Sequence, residues 1–425
     1  MPSKLTDLQA AKLVKDAENE LASCFADIDE IALINQKKVL DAFRNNKLSP
    51  EFFAERTGYG MDDTARDVID SVFAEIYGAE AAAVRMHMVS GTHALACVLL
   101  GNLRAGDRLT ILTGHPYDTM EKVIGIAGNE SGSLKDLGVE YMECDLIPFI
   151  NDEAKLREQL RTALAPPTRM AYIQKSCGYS MARPTLLNSE IGKLIKAIRE
   201  VRPDVLIMVD NCYGELVEAN EPLAVGADMI AGSFIKNPGG GLAICGGYFA
   251  GKQTYVDASL NRLTSPGIGG HLGLSFNQNR LLFQGMFLAP QSVANALKGA
   301  HLFAHVFAGL GFEVNPQPGK LRGDIIQAIK FGNRKSLVNF LTALQHFSPV
   351  DAHVTPEPAE MPGYEDHVVM AGGTFVEGST IEFSGDGPLR PPFVAYVQGG
   401  LTYMHVKLAL LGLLELGSSD RYAFL

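Results

Sequence analysis

Residues 201–241 read VRPDVLIMVDNCYGELVEANEPLAVGADMIAGSFIKNPGGG. Two short apolar runs stand in this stretch. Val205–Asp210 is continuously apolar and ends in a carboxylate. Asp228–Ala231 is followed by Ser233, Lys236 and the glycines Gly239–Gly241. Short apolar runs bounded by turn residues predict buried strands.

The same pattern extends outward in both directions. Ala82–Val84, Arg108–Leu112, Glu140–Glu143, Met170–Gln174 and Gly247–Ala250 are further strand candidates. Helical stretches lie between them. Asp152–Leu164 places Leu156, Leu160 and Leu164 on one face, and Asn188–Glu200 is a second such stretch. Alternation of this kind predicts an α/β fold built on a large, mostly parallel sheet. Residues 1–63 form an N-terminal helical segment, beginning amphipathic and charged and ending in the turn-rich RTGYGMDD. The large α/β domain spans 64–270. Residues 271–425 hold a connecting helix, Gln291–Leu310, and a smaller α+β domain with a closing helix over Val397–Leu416. Residues 252–290 otherwise read as loop.

The chain has 425 residues and a formal net charge of −11. An acidic balance argues against nucleic acid or an anionic membrane as partner. The longest apolar runs, such as Leu408–Leu414, fall far short of the roughly 20 residues a membrane span needs. The N-terminal stretch has no signal-peptide core, so a cytoplasmic location is expected. Cys24, Cys97, Cys144, Cys177, Cys212 and Cys245 show no C-x-x-C and no His pairing. They read as reduced thiols, with no metal site.

In an open parallel sheet, ligands sit beyond the carboxyl ends of the strands. The residues at those ends are Ser90-Gly91-Thr92-His93, Tyr117, Gln174, Asp210 with Tyr213, and Ser233 with Lys236. A strand-end lysine before a glycine cluster suits a surface loop. The surface loop is the commoner case, but the context also suits a dehydrated amine, with its pKa lowered by burial, ready for Schiff-base chemistry. Asp210 falls on the same rim. A strand-end Asp can serve a metal or a ribose, but no further ligands cluster nearby. Lysine for a Schiff base and aspartate for a pyridinium nitrogen are the pair that pyridoxal 5'-phosphate (PLP) needs. Ser90–Thr92 opens the apolar helix Ala94–Leu100, where free N–H groups and the helix dipole can hold a phosphate. A plain helix N-cap looks the same. Ser233 is a second hydroxyl able to reach that phosphate. The Tyr117 ring either stacks on the cofactor or packs a turn, and His93 lies close enough to face the ring. No G-x-G-x-x-G follows the early strands, which disfavours a dinucleotide fold.

Taken together, SGTHA, GHPYDT, VDNCYGE and SFIKNPGGG resemble the methionine gamma-lyase-related "aluminium resistance protein" family. This is a branch of the fold-type I PLP enzymes near the Cys/Met-metabolism lyases. The resemblance runs from about residue 50 to the end and takes in GYGMDD, LTSPGIGG, QGMFLAPQSV, GTFVEGSTIEFSGDGPLRPP and VQGGLTY. It implies a homo-oligomer, dimer or tetramer, with shared active sites. It implies Lys236 as the Schiff-base lysine, Asp210 as the pyridinium partner and Tyr117 as the stacking ring. Ser90, Gly91, Thr92 and Ser233 would hold phosphate, Gln174 would meet the ring oxygen, and Tyr59 would reach a neighbouring subunit's phosphate. Arg390 would clamp the carboxylate of an amino-acid substrate, using its bidentate fork. The Gln174–Tyr179 segment is less basic than the family pattern. The implied activity is β- or γ-elimination from a cystathionine-, methionine- or cysteine-type substrate, with Tyr117 or Tyr59 as acid. A PLP aminotransferase, a PLP-binding protein without lyase turnover, and a nucleotide-binding α/β enzyme are the alternatives.

Overall fold

A computed structural model describes residues 6–129 and 131–425. Seven strands form the large sheet: β1 (Ala81–Arg85), β2 (Arg108–Ile111), β3 (Glu140–Glu143), β4 (Thr168–Gln174), β5 (Leu206–Asp210), β6 (Met229–Ser233) and β7 (Gly247–Gly251). Their spatial order is β1-β7-β6-β5-β4-β2-β3. β7 runs antiparallel to both neighbours, and every other adjacent pair is parallel. The fold is therefore α/β with a large, mostly parallel sheet. Each strand candidate in the sequence is present to within two residues.

The central strands are continuously apolar because both faces are covered. Successive side chains point to opposite faces. Ile173, Ile207, Val209 and Ile230 enter one core. Met170, Tyr172, Leu206, Met208 and Met229 enter the other. The helix Glu153–Ala163 shows how the covering layer is specified. Asp152 caps it, accepting from the Lys155 N–H at 3.2 Å. Leu156 and Leu160 are buried on its inner face, each contributing about 1.5–3 kcal/mol.

The second sheet is wholly antiparallel. It comprises β8 (Glu313–Asn315), β9 (Gln327–Lys330), β10 (Val368–Ala371), β11 (Ser384–Pro388) and β12 (Val394–Gln398), in the order β10-β11-β12-β9-β8. The N-terminal helices divide between the two sheets. Asp7–Glu20 packs Ala10, Val14 and Ala17 into the small-sheet core beside Phe303, Phe307 and Leu410. Ala22–Asn45 gives Ile28, Val39 and Ala42 to the large-sheet core. Residues 1–5 of the expected amphipathic stretch lie outside the described residues.

Three expectations from the sequence require correction. A helix, Gln253–Leu263, occupies part of the expected loop. The connecting helix is Asn279–Gly309, running through Pro290 instead of starting after it. The closing helix is Tyr403–Gly417, and Val397 belongs to β12. Gly399 and Gly400 adopt φ of 75° and 143°, which ends the strand, and the Thr402 hydroxyl then caps the helix by accepting from His405 N–H at 3.3 Å. The connecting helix also backs the candidate site. A Cβ on Gly240 would lie 2.2 Å from the Gly285 carbonyl oxygen, and one on Gly285 would lie 2.3 Å from that of Gly239. Paired glycines let this helix press against the turn that follows Lys236.

Candidate active site

Strand register brings the expected residues to one rim. Gln174 ends β4, opposite Asp210 at the end of β5, and Asp210 is opposite Ala231 of β6, two residues before Ser233. The chain leaves β1 and turns at Ser90 into the helix Gly91–Asn102. The Ser90 hydroxyl accepts from His93 N–H at 3.1 Å, while the first-turn N–H groups of Gly91 and Thr92 have no intrahelical acceptor. Thr92 and Thr119 hydroxyls lie 2.7 Å apart. A Cβ on Gly91 would stand 3.1 Å from the Ser233 Cβ and 3.3 Å from its amide nitrogen. Glycine thus lets the turn close onto β6.

These groups line a cavity of about 310 Å³ that includes Ser90, Gly91, Thr92, Tyr117, Gln174, Asp210, Tyr213, Ser233 and Lys236. The Lys236 Nζ sits 3.7 Å from the Tyr213 ring centroid. Tyr213 is itself held at φ 67°. Tyr172 O–H donates to one Asp210 oxygen at 2.9 Å, and Cys212 N–H donates to the other at 3.1 Å. Burial raises the Asp210 carboxyl, against those two donors and Lys236. Beneath them, Glu215 accepts from the Tyr248 hydroxyl at 2.7 Å and is pushed up to about 8 by burial. The expected lowering of the Lys236 pKa does not hold in the cofactor-free protein. Burial pushes it down, but Tyr213, Cys212, Asp210 and Glu215 push harder upward. The surrounding oxygens and sulfur outweigh desolvation.

The far wall comes from the second sheet and its loops. Tyr364, Glu377, Ser379, Asp386 and Tyr396 line the same cavity. The Tyr117 and Tyr364 hydroxyls are 2.6 Å apart. Tyr179 O–H donates to Asp386 Oδ2 at 2.8 Å. Burial, opposed by that bond and by Lys236, raises Asp386 to about 6. Sequence reading missed Tyr364, Asp386 and Tyr396 as site residues. No strand-end rule points to them, and Asp386 stands in the sequence only within the longer family motif GTFVEGSTIEFSGDGPLRPP.

Three expected residues do not line the cavity. Tyr59 is 74% exposed, although its carbonyl accepts from Gly273 N–H at 2.9 Å. His93 turns its Nδ1 to the Val89 N–H at 3.3 Å. Arg390 donates to Asp366 at 3.1 Å and to Asp118 at 3.2 Å. It lines a neighbouring groove that shares Tyr179 and Tyr396 with the cavity.

A mostly parallel sheet with this cavity on its carboxyl rim, closed by a smaller antiparallel unit, is the architecture of the fold-type I PLP-dependent enzymes. The sequence profile of the methionine gamma-lyase family matches residues 10–416, and the chain belongs to that family. The chain is 47% identical to Bacillus subtilis (strain 168) YnbB over 401 residues, 94% of each protein. A Listeria monocytogenes structure, provisionally named a cystathionine beta-lyase involved in aluminum resistance, is 46% identical. It superposes with a TM-score of 0.90 over 95% of this chain and 99% of its own. A Clostridium novyi NT structure, named a carbon-sulfur lyase involved in aluminum resistance, is 41% identical. Its TM-score is 0.89 over 96% and 95% of the two chains. The six cysteines form no disulfide in this structure. Among the described residues, no helix is long and apolar enough to cross a membrane.

Proposed function

We propose that this chain is a PLP-dependent carbon–sulfur lyase that acts on a sulfur-containing amino acid of the cystathionine, methionine or cysteine type. The observation that carries the reading is the convergence of Lys236, Asp210, Ser233 and the Ser90–Thr92 turn on one cavity. The names of the Listeria and Clostridium relatives support the same class.

The residues present fit PLP. Gln174 Oε1 is buried with no hydrogen-bond partner, and so can accept from a ring hydroxyl. Asp210 still has acceptor capacity beyond its two donors. The Gly91–Thr92 N–H groups, with Ser90 and Ser233, offer a phosphate cradle at a helix N-terminus. Lys236 would carry the cofactor, Tyr117 would cover one ring face, and Tyr213 would steady the Lys236 amine. When bound, PLP supplies an electron sink conjugated to the substrate's α-nitrogen. Asp210 would hold a proton on the ring nitrogen as its counter-anion. Lys236 Nζ, as a free amine, would be the base that takes the Cα proton. Tyr117 is pushed well up by burial and by Tyr364 and Asp386. It therefore keeps its proton, and to act as the acid for the departing sulfur it would have to be lowered toward the thiol range when substrate is bound. Residues of the small unit, Tyr364, Asp386 and Tyr396 among them, line the far side of the cavity. The products would be a thiol, a 2-oxo acid and ammonia.

Tyr59, exposed on its own chain, would reach the cavity of a second copy, and a homo-oligomer with shared sites is part of this reading. The test is steady-state assay of the PLP-loaded protein with L-cystathionine and S-alkyl-L-cysteines, without an amino acceptor. Ammonia and 2-oxo acid release is expected. An absolute need for a 2-oxo acid co-substrate would identify an aminotransferase instead.

A further inference from the structure

The Tyr213 ring lies over Lys236 on a backbone that residues with side chains rarely adopt. Tyr213 has φ 67°, and Leu216, three residues on, has φ 59°. Left-handed backbone at a residue with a large side chain is strained, and it persists only where surrounding contacts over-determine it. Two contacts close the turn after β5 from within and from behind. Gly214 N–H donates to the Asn211 carbonyl at 2.8 Å, and Leu216 N–H donates to Glu221 Oε1 at 2.8 Å. Neither touches Tyr213.

Asn237 supplies the contact at Tyr213 itself. It directly follows Lys236 and is fully buried. Its Nδ2 donates to the Tyr213 carbonyl at 3.0 Å and to the Glu215 carbonyl at 2.9 Å. Its Oδ1 has no hydrogen-bond partner. A flipped amide would set that oxygen against two carbonyl oxygens, so the two donated bonds fix its orientation. A buried acceptor left unused is unfavourable, so this side chain is placed for its donors. The base of the clamp is firm. Asn237–Gly239 forms a short helical turn, and Gly240 beyond it meets the connecting helix so closely that a Cβ would lie 2.2 Å from the Gly285 carbonyl oxygen.

We propose that Asn237 is a positioning residue: by tying the Tyr213 and Glu215 carbonyls to the turn that carries Lys236, it holds the Tyr213 ring over the Lys236 amine. The lysine and the ring beside it then move as one unit, and the free amine keeps a single place in the cavity. The use of that amine rests on the PLP reading, whereas the clamp belongs to the cofactor-free chain.

The test therefore reads Lys236 without cofactor. Reductive methylation of the cofactor-free protein at one pH, followed by mass mapping, gives the labelling rate of Lys236 relative to exposed Lys252 in the same sample. The Tyr213 phenol raises the Lys236 pKa. In Asn237→Ala the relative rate is expected to rise about tenfold or more, as for a fall of one pKa unit. Tyr213→Gly takes the same backbone without strain and has no ring. In that background Asn237→Ala should change the rate by less than about threefold. A rate unmoved by Asn237→Ala overturns the proposal, and so does an equal rise in both backgrounds, which would be general loosening of the site. Should Asn237→Ala alone not fold, the double variant is expected to fold, because glycine needs no clamp. A double variant that also fails while Tyr213→Gly folds overturns the proposal as well. Adding PLP to the unaltered protein tests the other reading separately: no visible absorption would remove the cofactor assignment, while a labelling rise confined to the Tyr213 background would still establish the clamp.

Discussion

The Lys236 Nζ lies over the face of the Tyr213 ring, 3.7 Å from its centroid. Burial pushes the amine's pKa down, but the Tyr213 phenol oxygen, with Cys212, Asp210 and Glu215, raises it further than burial lowers it. Attack on PLP needs the neutral amine. Tyr213→Phe removes the phenolic oxygen and keeps the ring, so the Lys236 pKa should fall. The rate of cofactor loading, followed by visible absorption against pH, should then rise at lower pH than in the unaltered protein. An unchanged profile would mean that the phenol does not act on Lys236.

Gly91 is the closest approach between the phosphate turn and β6. Gly91→Ala puts a Cβ 3.1 Å from that of Ser233. Overpacking of this kind costs about 1–3 kcal/mol. Since the turn is the proposed cradle, PLP affinity should fall about tenfold or more, with a smaller loss of thermal stability. Equilibrium dialysis against PLP measures the first and a melting curve the second.

The strands of the large sheet were legible because each central strand is buried on both faces and so carries an uninterrupted apolar run. The rim residues followed from them, since a strand end is a fixed place in a parallel sheet. Pro290 was misleading. Proline usually opens a helix, but here Asn279–Gly309 continues through it. Gly399 and Gly400 separate β12 from the last helix, which an apolar count runs together. Asp386, Tyr364 and Tyr396 reach the cavity only because the antiparallel unit folds over the rim. No local pattern in MPGYEDH or SGDGP encodes that approach.

Glu215 makes stability depend on pH. Its pKa in the folded protein is raised from 4.5 to about 8 by burial. The unfolded chain releases this proton near 4.5, while the folded chain holds it until about 8. Stability from this group is thus lost as pH rises through that window. The loss by pH 7 is on the order of 3 kcal/mol. Glu215→Gln keeps an acceptor for Tyr248 and cannot ionise. Its melting temperature should therefore change less between pH 5 and 8 than that of the unaltered protein. Equal slopes would show that Glu215 is not the buried acid responsible.

Arg390 is engaged by Asp118 and Asp366, beside the cavity and not in it. Arg390→Lys is expected to change the KM for an amino-acid substrate by less than about threefold, since a half-exposed pair contributes about 1 kcal/mol or less. A rise of about a hundredfold would instead mark it as the carboxylate clamp that its sequence context suggests, because loss of a bidentate pair to a substrate is far more costly.

The central claim is that Lys236 carries the cofactor. Lys252 provides an internal contrast. It also follows a strand of the large sheet, yet β7 runs antiparallel, so Lys252 pairs with Asp228 at 2.6 Å and is 56% exposed, at the opposite end of β6 from Ser233. The most direct measurement is borohydride reduction of the PLP-loaded protein, followed by proteolysis and mass mapping of the pyridoxyl label. The label is expected on Lys236 alone. Label on Lys252, or on no lysine, would contradict the account.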